Sequence, residues 1–398
     1  MVSQTLDPNS PATTALGSGK GLPRDGTVSS PNGSFRLRLT STGPRLEQRN
    51  NGRTVAVVWE ERHNGANTLN MQGEGNLVLR TSSGQKLWDS ATSNNRGSVL
   101  VINDRGQIAV VSTSGVVLWL DGVPFSFPVA SYDNLVYPIR TTFYYSWYPE
   151  TWTVGGQPVR QNPTLGKYTL SDANVYSDHV NAMEYGGLEL AVVTWWGPST
   201  HKDRARISNL LNTNGSIKWT IYHERERFDR PSSGVIRQDL EYLYRWYAWH
   251  PRWARIDDRP VVFVYNDSGC DVSERWMAAS RGEWFVVLKL FPGYLNCRVQ
   301  PDSWHAYGPL VAVQVHRPFS HAISPGFWRA DRGSAGLGRV REAVWRENVE
   351  SMSRSDVRWQ IVTTFNEWGE GTAVESAREW RSSSGYGMYL DVLHDALR

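Results

Sequence analysis

The sequence predicts two domains of different class, an N-terminal all-β unit with threefold repetition and a C-terminal (β/α)8 TIM barrel. Three observations lead there: an internal repeat over residues 30–120, a change to alternating strand and helix patterns after residue 136, and a length of 398 residues, enough for two hydrophobic cores. The expected boundaries are a flexible tail over 1–27, the repeat domain over 28–122, a linker over 123–136 and the barrel over 137–398.

The repeat is visible in "LRLTSTGPRLEQ" from residue 37, "LNMQGEGNLVLR" from 69 and "LVINDRGQIAVV" from 100, spaced by 32 and 31 residues. Each is followed by a run ending in tryptophan, at Trp59, Trp88 and Trp119. A period of that size signals stacked units. Within a unit, alternating residues such as Phe35, Leu37 and Leu39 between Gly, Asn and Ser turns read as strands with one buried face. Three small sheets about a pseudo-threefold axis would bring one Trp from each into a shared core. "DGVPFSFPVASYDN" then has the prolines and small residues of a linker.

Beyond it, apolar runs rich in β-branched and aromatic residues recur: "RTTFYYSWY", "LELAVVTWW", "IKWTIYHE", "RPVVFVYND", "EWFVVLKLF", "SWHAYG", "LVAVQVHRPF" and "RWQIVTTFNE". Spacings of three and four mark helices between several of them, at Tyr176, Val180 and Met183, at Ile236, Leu240, Leu243 and Tyr247, and at Tyr389, Leu390, Leu393 and Leu397. Eight strand candidates alternating with helices are what a (β/α)8 barrel requires.

Composition excludes several classes. A formal charge of +3, with no block of like charge, argues against nucleic acid as a partner, and no apolar run approaches a membrane span of roughly 18–20 residues. "GSGKG" near residue 17 lacks the strand and spacing of a phosphate loop. No H-E-x-x-H occurs, so no metal is expected and no cofactor is implied. "NSPATTALGSGKG" resembles the linker that follows a removed signal, which favours secretion, and the chain is taken as a monomer. Cys270 and Cys297 lack metal-type spacing and are either a disulfide or two buried thiols. The 19 Trp and 17 Tyr exceed what a core easily hides, and such faces suit sugar rings.

A barrel carries its chemistry on the loops at the carboxyl ends of its strands. Those ends supply Tyr144, Tyr145 and Trp147, then Trp195 and Trp196, His223 and Glu224, Asp267, Tyr307, and finally Asn366, Glu367, Trp368 and Glu370. Glu367 and Glu370 sit just past an apolar strand, with Gly369 and Gly371 admitting close backbone approach and Trp368 positioned to desolvate a carboxyl. Two carboxylates in one partly dry pocket do not both ionise freely; one is pushed to hold a proton and can serve as acid, the other as base or nucleophile. Glycosidic bond cleavage asks for that division.

Residues 30–120 resemble the bulb-type, mannose-binding lectin domain, a three-fold β-prism whose sugar pocket uses Gln-x-Asp-x-Asn-x-Val-x-Tyr. The middle repeat keeps Gln72, Glu74, Asn76 and Val78, with Arg80 in place of Tyr, so the resemblance implies a sugar site at Gln72, Glu74 and Asn76. The alternative is that these residues only close the "GEGN" hairpin.

Residues 137–398 resemble glycoside hydrolase family 99, the endo-α-mannosidases, and more loosely family 71. "TFNEWGEGTAVE" from Thr364 follows the family's S-F-N-E-W-H-E-G-T-Q-I-E with Gly369 for His and Ala373 for Gln, supported by "YYSWY", "TWWG", "YHE", "VYND" and "ISPGFW". The resemblance implies retaining, endo-acting cleavage of α-mannosidic linkages in a polysaccharide or oligosaccharide. Glu367 would take the proton of the substrate 2-hydroxyl to form a 1,2-anhydro sugar, and Glu370 would protonate the leaving oxygen and then activate water. Tyr144, Tyr145, Trp147, Trp195, Trp196, His223, Glu224, Asp267, Tyr307, Asn366 and Trp368 would contact sugar. Two rival readings stay open: hydrolysis of another polysaccharide such as an α-glucan, and a carbohydrate-binding protein without catalysis.

Overall fold

The computed structural model describes residues 6, 10–50, 52–122, 133–198, 201–248, 250–331 and 335–397. The chain divides into two compact units, one of Val2–Ala130 with Leu243–His250, the other of Ser131–Tyr242 with Pro251–Arg398. Most of the expected linker, 123–132, lies outside the described residues.

The N-terminal unit contains twelve strands: β1 Ala12–Leu16, β2 Lys20–Pro23, β3 Thr27–Ser29, β4 Phe35–Thr40, β5 Gly43–Asn50, β6 Arg53–Glu60, β7 Thr68–Met71, β8 Leu77–Arg80, β9 Lys86–Asp89, β10 Val99–Asn103, β11 Gln107–Val111 and β12 Val117–Gly122. They form three four-stranded antiparallel sheets, ordered β3-β4-β5-β6, β2-β7-β8-β9 and β1-β10-β11-β12. The flexible tail expected over 1–27 is therefore corrected. Its Thr/Ala/Leu stretches add a first strand to each sheet, with Ala12 opposite Asn103, Lys20 opposite Met71 and Thr27 opposite Arg38. Composition alone suggested a linker because the strands Ala12–Leu16 and Lys20–Pro23 are short and gain their hydrogen bonds from partners about 50 to 90 residues on.

Alternation sets the core. In β4 Phe35, Leu37 and Leu39 point inward while the arginines between them do not. Leu37, Leu46, Leu69, Leu79, Ile102 and Ile108 are fully buried together, each contributing about 1.5–3 kcal/mol of apolar burial. Trp59 and Trp88 pack edge-on against Trp119 at centroid distances of 5.6 and 5.7 Å. Trp119→Ala would cost about 3–5 kcal/mol by opening a cavity where the three repeats meet.

The C-terminal unit is built on eight parallel strands: Ile139–Tyr144, Leu190–Trp195, Lys218–His223, Arg259–Val264, Phe285–Lys289, Ser303–His305, Ser320–Ile323 and Trp359–Val362. Parallel ladders join the first six in sequence order, and the eighth pairs with both the first and the seventh. The sixth and seventh share no ladder among the described residues; the Ala306 amide instead donates to Ser320 Oγ at 2.9 Å. These strands are buried on both faces, hence their continuous apolar runs.

Two expectations are corrected. The seventh strand is not within "LVAVQVHRPF", where Val313–His316 forms an antiparallel hairpin partner, but in the fully buried Ser320–Ile323 that follows. The strand and helix alternation is also incomplete. Helices of nine residues or more follow the first four strands and the last two, at Ala173–Tyr185, His201–Asn212, Ser233–Leu243, Asp271–Ser280, Glu342–Ser353 and Met388–Ala396. After the fifth strand stands only a 3-10 turn, Tyr294–Asn296. The intervening "FPGYLNCRVQPD" carries two prolines and a glycine and is tied by a disulfide from Cys297 to Cys270, with Cα atoms 5.2 Å apart. That resolves the choice between disulfide and free thiols. Among the described residues no helix is long and apolar enough to cross a membrane.

Candidate active site

The carboxyl ends of the parallel strands enclose a cavity of about 310 Å³ lined by three carboxylates, Glu224, Glu367 and Glu370. Glu367 and Glu370 come from the loop after the eighth strand. That loop is pinned from both sides: the Glu367 amide donates to Thr364 Oγ1 at 2.9 Å, and the Trp328 and Ala330 amides donate to the carbonyls of Glu370 and Gly369 at 2.7 and 3.0 Å. Asn366 reaches back to the first strand, accepting from the Tyr145 amide at 2.7 Å and donating to its carbonyl at 3.0 Å.

Strand alternation decides which expected residues enter the cavity. Tyr145, Trp147, Trp196, Glu224 and Tyr307 line it with the acid pair. Their sequence neighbours face the surrounding helices. Tyr144 bonds His179 Nδ1 at 2.9 Å, Trp195 stacks on Tyr242, and His223 bonds Asp239 at 2.9 Å beneath Trp276. Asp267 stands on the exterior, salt-bridged to Arg227 at 2.7 Å. The Trp368 indole turns away too, donating to Glu375 at 3.1 Å and stacking on Trp380. The expectation that Trp368 dries the acid pair is thus corrected, and Tyr144, Trp195, His223, Asp267, Asn366 and Trp368 do not line this cavity. The aromatic wall comes from the Tyr145 and Tyr307 pair, whose hydroxyls meet at 2.7 Å, and from Tyr222 and Tyr265.

Tyr222, Phe228 and Arg329 are cavity residues that sequence reasoning missed, while Tyr265, at the end of the fourth strand run, does line the cavity. Tyr222 had a usable signal, since it lies two positions from Glu224 and shares its face. Phe228, 62% exposed and 5.2 Å from Trp196, lies in the short helix Arg225–Asp229, and Arg329, chelated by Asp331, on a loop, neither with such periodicity.

The electrostatics follow from burial. Glu367 is 4% exposed. Burial, reinforced by the Glu370 and Glu224 charges, raises its proton affinity well above that of an ordinary carboxyl, against the lowering effect of hydrogen bonds from the Glu370 and Gly369 amides. Its Oε2 has no hydrogen-bond partner among the described residues. Glu224 is pushed up to about 8, first by burial and then by Glu370. The cavity therefore holds carboxyls that bind protons where free glutamates release them. A side chain at 369 would disturb this: a Cβ there would lie 2.9 Å from Glu367 Oε1.

In the N-terminal unit, Gln72 and Asn76 close the hairpin between β7 and β8 through the Gln72 amide and Asn76 carbonyl at 2.8 Å. Asn76 Oδ1 accepts from Ser90 Oγ and the Thr92 amide at 3.2 and 3.1 Å, while Glu74 is exposed at the turn. The carboxamide oxygen of Asn76 is thus used internally.

With this geometry in view, the chain is similar to glycan-cleaving enzymes. The model of glycosyl hydrolase family 99 matches residues 158–286, a stretch that includes Glu224 but ends before Glu367. A human glycoprotein endo-alpha-1,2-mannosidase-like protein is 21% identical over 280 residues, covering 58% of this chain and 60% of that protein. The chain thus spans about 60% of the length of that curated relative. Among solved structures, the family 99 endo-alpha-mannosidase of Bacteroides thetaiotaomicron aligns with 65% of this chain and 95% of its own at 18% identity and a TM-score of 0.48. The Japanese Marasmius oreades lectin covers 28% of this chain and 91% of its own at 22% identity and a TM-score of 0.25.

Proposed function

We propose that this chain is a retaining glycoside hydrolase that cleaves internal α-mannosidic linkages in a mannan-like polysaccharide or glycan. The observation that carries the proposal is the grouping of Glu224, Glu367 and Glu370 in one tyrosine-walled cavity at the strand ends. The family match and the mannosidase relatives support the sugar class.

In this reading Glu367, once ionised, accepts the proton of a substrate 2-hydroxyl through its unpartnered Oε2. The resulting O2 attacks the anomeric carbon while the glycosidic C–O bond breaks, and Glu370 gives its proton to the departing oxygen. Water then loses a proton to Glu370 and opens the 1,2-anhydro sugar at the anomeric carbon, Glu367 returns its proton to O2, and the configuration is retained. Raised proton affinity suits Glu367 to this work, because a carboxylate that binds protons tightly is a better base toward a weakly acidic hydroxyl. Glu224, neutral up to about pH 8, can donate a hydrogen bond to the sugar without adding charge. Trp196, 41% exposed and packed on Phe228, offers an apolar platform at the cavity edge for a further ring.

We further read the N-terminal sheets, 28–122 together with the edge strands from Ala12, as a lectin-like prism that holds substrate near the barrel, raising its effective concentration, and 123–136 as its linker. The Cys270–Cys297 bridge supports an oxidising, secretory setting. A hydrolysis screen on α-mannan, mannosyl oligosaccharides and α-1,3-glucan, with NMR of the first-formed anomer, tests the proposal. Release of α-configured mannosyl products is expected. Cleavage of glucan alone, or of nothing, overturns it.

A further inference from the structure

We propose that the first N-terminal sheet carries a binding site for an oxyanion, a sulfate, phosphate or carboxylate group. A cavity of about 380 Å³ lies between the turn after β3 and the turn after β5, and Arg36 and Arg49 line it together with Ser29, Asn32 and Ser34. Behind the two arginines sits Glu47, 1% exposed. Three guanidiniums converge on this one carboxylate: Arg36 at 2.5 Å, Arg45 at 2.8 Å and Arg49 at 3.8 Å.

One carboxylate neutralises one of the three. Asp104, which accepts from the Asn32 amide at 2.8 Å, offsets part of the remainder, and net positive charge is left facing a concave polar surface. Arg49 is held in place by the Gly52 carbonyl and by Thr54 Oγ1 at 3.4 Å, so its charge is oriented before any ligand arrives. Partly buried guanidiniums in excess of their counter-charges gain most from a planar or tetrahedral oxyanion that accepts two hydrogen bonds.

The repeat architecture does not require this cluster. The cross-strand pair Arg36 and Glu47 corresponds to Thr68 with Arg80 in the second sheet and Val99 with Val111 in the third. Both of those sheets fold around the same core without three arginines on one glutamate. The charge in the first sheet is therefore available for a ligand rather than consumed by packing.

Isothermal titration of the full chain at low ionic strength, with sodium sulfate, sodium phosphate and sodium glucuronate against uncharged glucose, tests the site without any hydrolysis readout. Saturable, salt-sensitive binding of at least one anion is expected, weakened about tenfold or more by Arg49→Gln. Arg49 makes the longest of the three contacts to Glu47, so that variant retains the shorter pairs; Arg36→Gln, checked by its melting temperature, is the second probe. The preferred anion identifies whether a sulfate or phosphate ester or a uronate is the natural group. No saturable binding of the three anions, or binding indifferent to both substitutions, overturns the proposal.

Discussion

Two buried glutamates on strand-rich frameworks behave in opposite ways. Glu47, in the first N-terminal sheet, and Glu367, in the cavity of the parallel sheet, are 1% and 4% exposed. Burial drives both toward the protonated form. At Glu47 that effect is overcome by hydrogen bonds from Arg36 and Thr54 and by the charges of Arg36 and Arg45, so its carboxyl stays below the usual range. At Glu367 the neighbours are Glu370 and Glu224, and burial is reinforced instead. Depth does not choose a carboxyl's charge; the sign of its neighbours does. A glutamate ringed by arginines is a counter-ion, and one ringed by glutamates is a proton carrier.

The sharpest way to break this contrast is Glu367→Gln, which removes the proposed base while keeping size and hydrogen bonding. Hydrolysis should fall by about three to four orders of magnitude, with sugar binding by calorimetry largely retained. Unchanged turnover would end the hydrolase reading.

Next in size is the pH dependence of stability at Glu224. Its folded-state pKa of about 8 lies well above the 4.5 of a free glutamate, so the folded protein holds a proton that the unfolded chain releases. The stability this group allows is full below pH 4.5, falls as pH rises and is lost beyond about 8. Glu224→Gln should remove that slope and stabilise the protein at pH 9 by roughly 3–5 kcal/mol in denaturant titrations.

Glu47→Gln should act with the opposite sign. Its folded proton affinity is depressed, so its contribution is present above the 4.5 of a free glutamate and is lost as pH falls through the folded value. We expect a loss of about 1–3 kcal/mol at pH 7, moderated because the guanidiniums reach water, and a smaller loss in acid. The smallest expected effect is that of Gly369→Ala. Its Cβ would meet Glu367 Oε1 and Val154 Cγ2, both at 2.9 Å. A displaced Glu367 should reduce kcat by about tenfold, with a melting temperature close to that of the parent.

Much of this organisation is legible in the residues themselves. The period of 32 and 31 residues marks three similar units, and Trp59, Trp88 and Trp119 do pack together. The apolar runs locate seven of the eight parallel strands, while the seventh was missed because Val313–His316, with its alternating side chains, is a better strand on paper than the short Ser320–Ile323. At the cavity, E-x-x-E after an apolar run pointed to Glu367 and Glu370, and "YHE" to Glu224. Side-chain direction was harder to read. Tyr144 and Tyr145, Trp195 and Trp196, and the residues at 222 and 223 are adjacent in sequence and equally aromatic or polar, yet one of each pair faces the cavity and the other a helix.

The chain by itself determined where strands recur, which loop carries paired carboxylates and how the repeats share a core, because periodicity and turn chemistry act over a few residues. Tertiary structure alone decided which strands edge the N-terminal sheets, which aromatic of each pair enters the cavity, and which carboxylates repel. Those outcomes depend on partners outside the local stretch of chain, from Tyr144 with His179 to Glu224 beside Glu370, and electrostatic energy is set by distance in space.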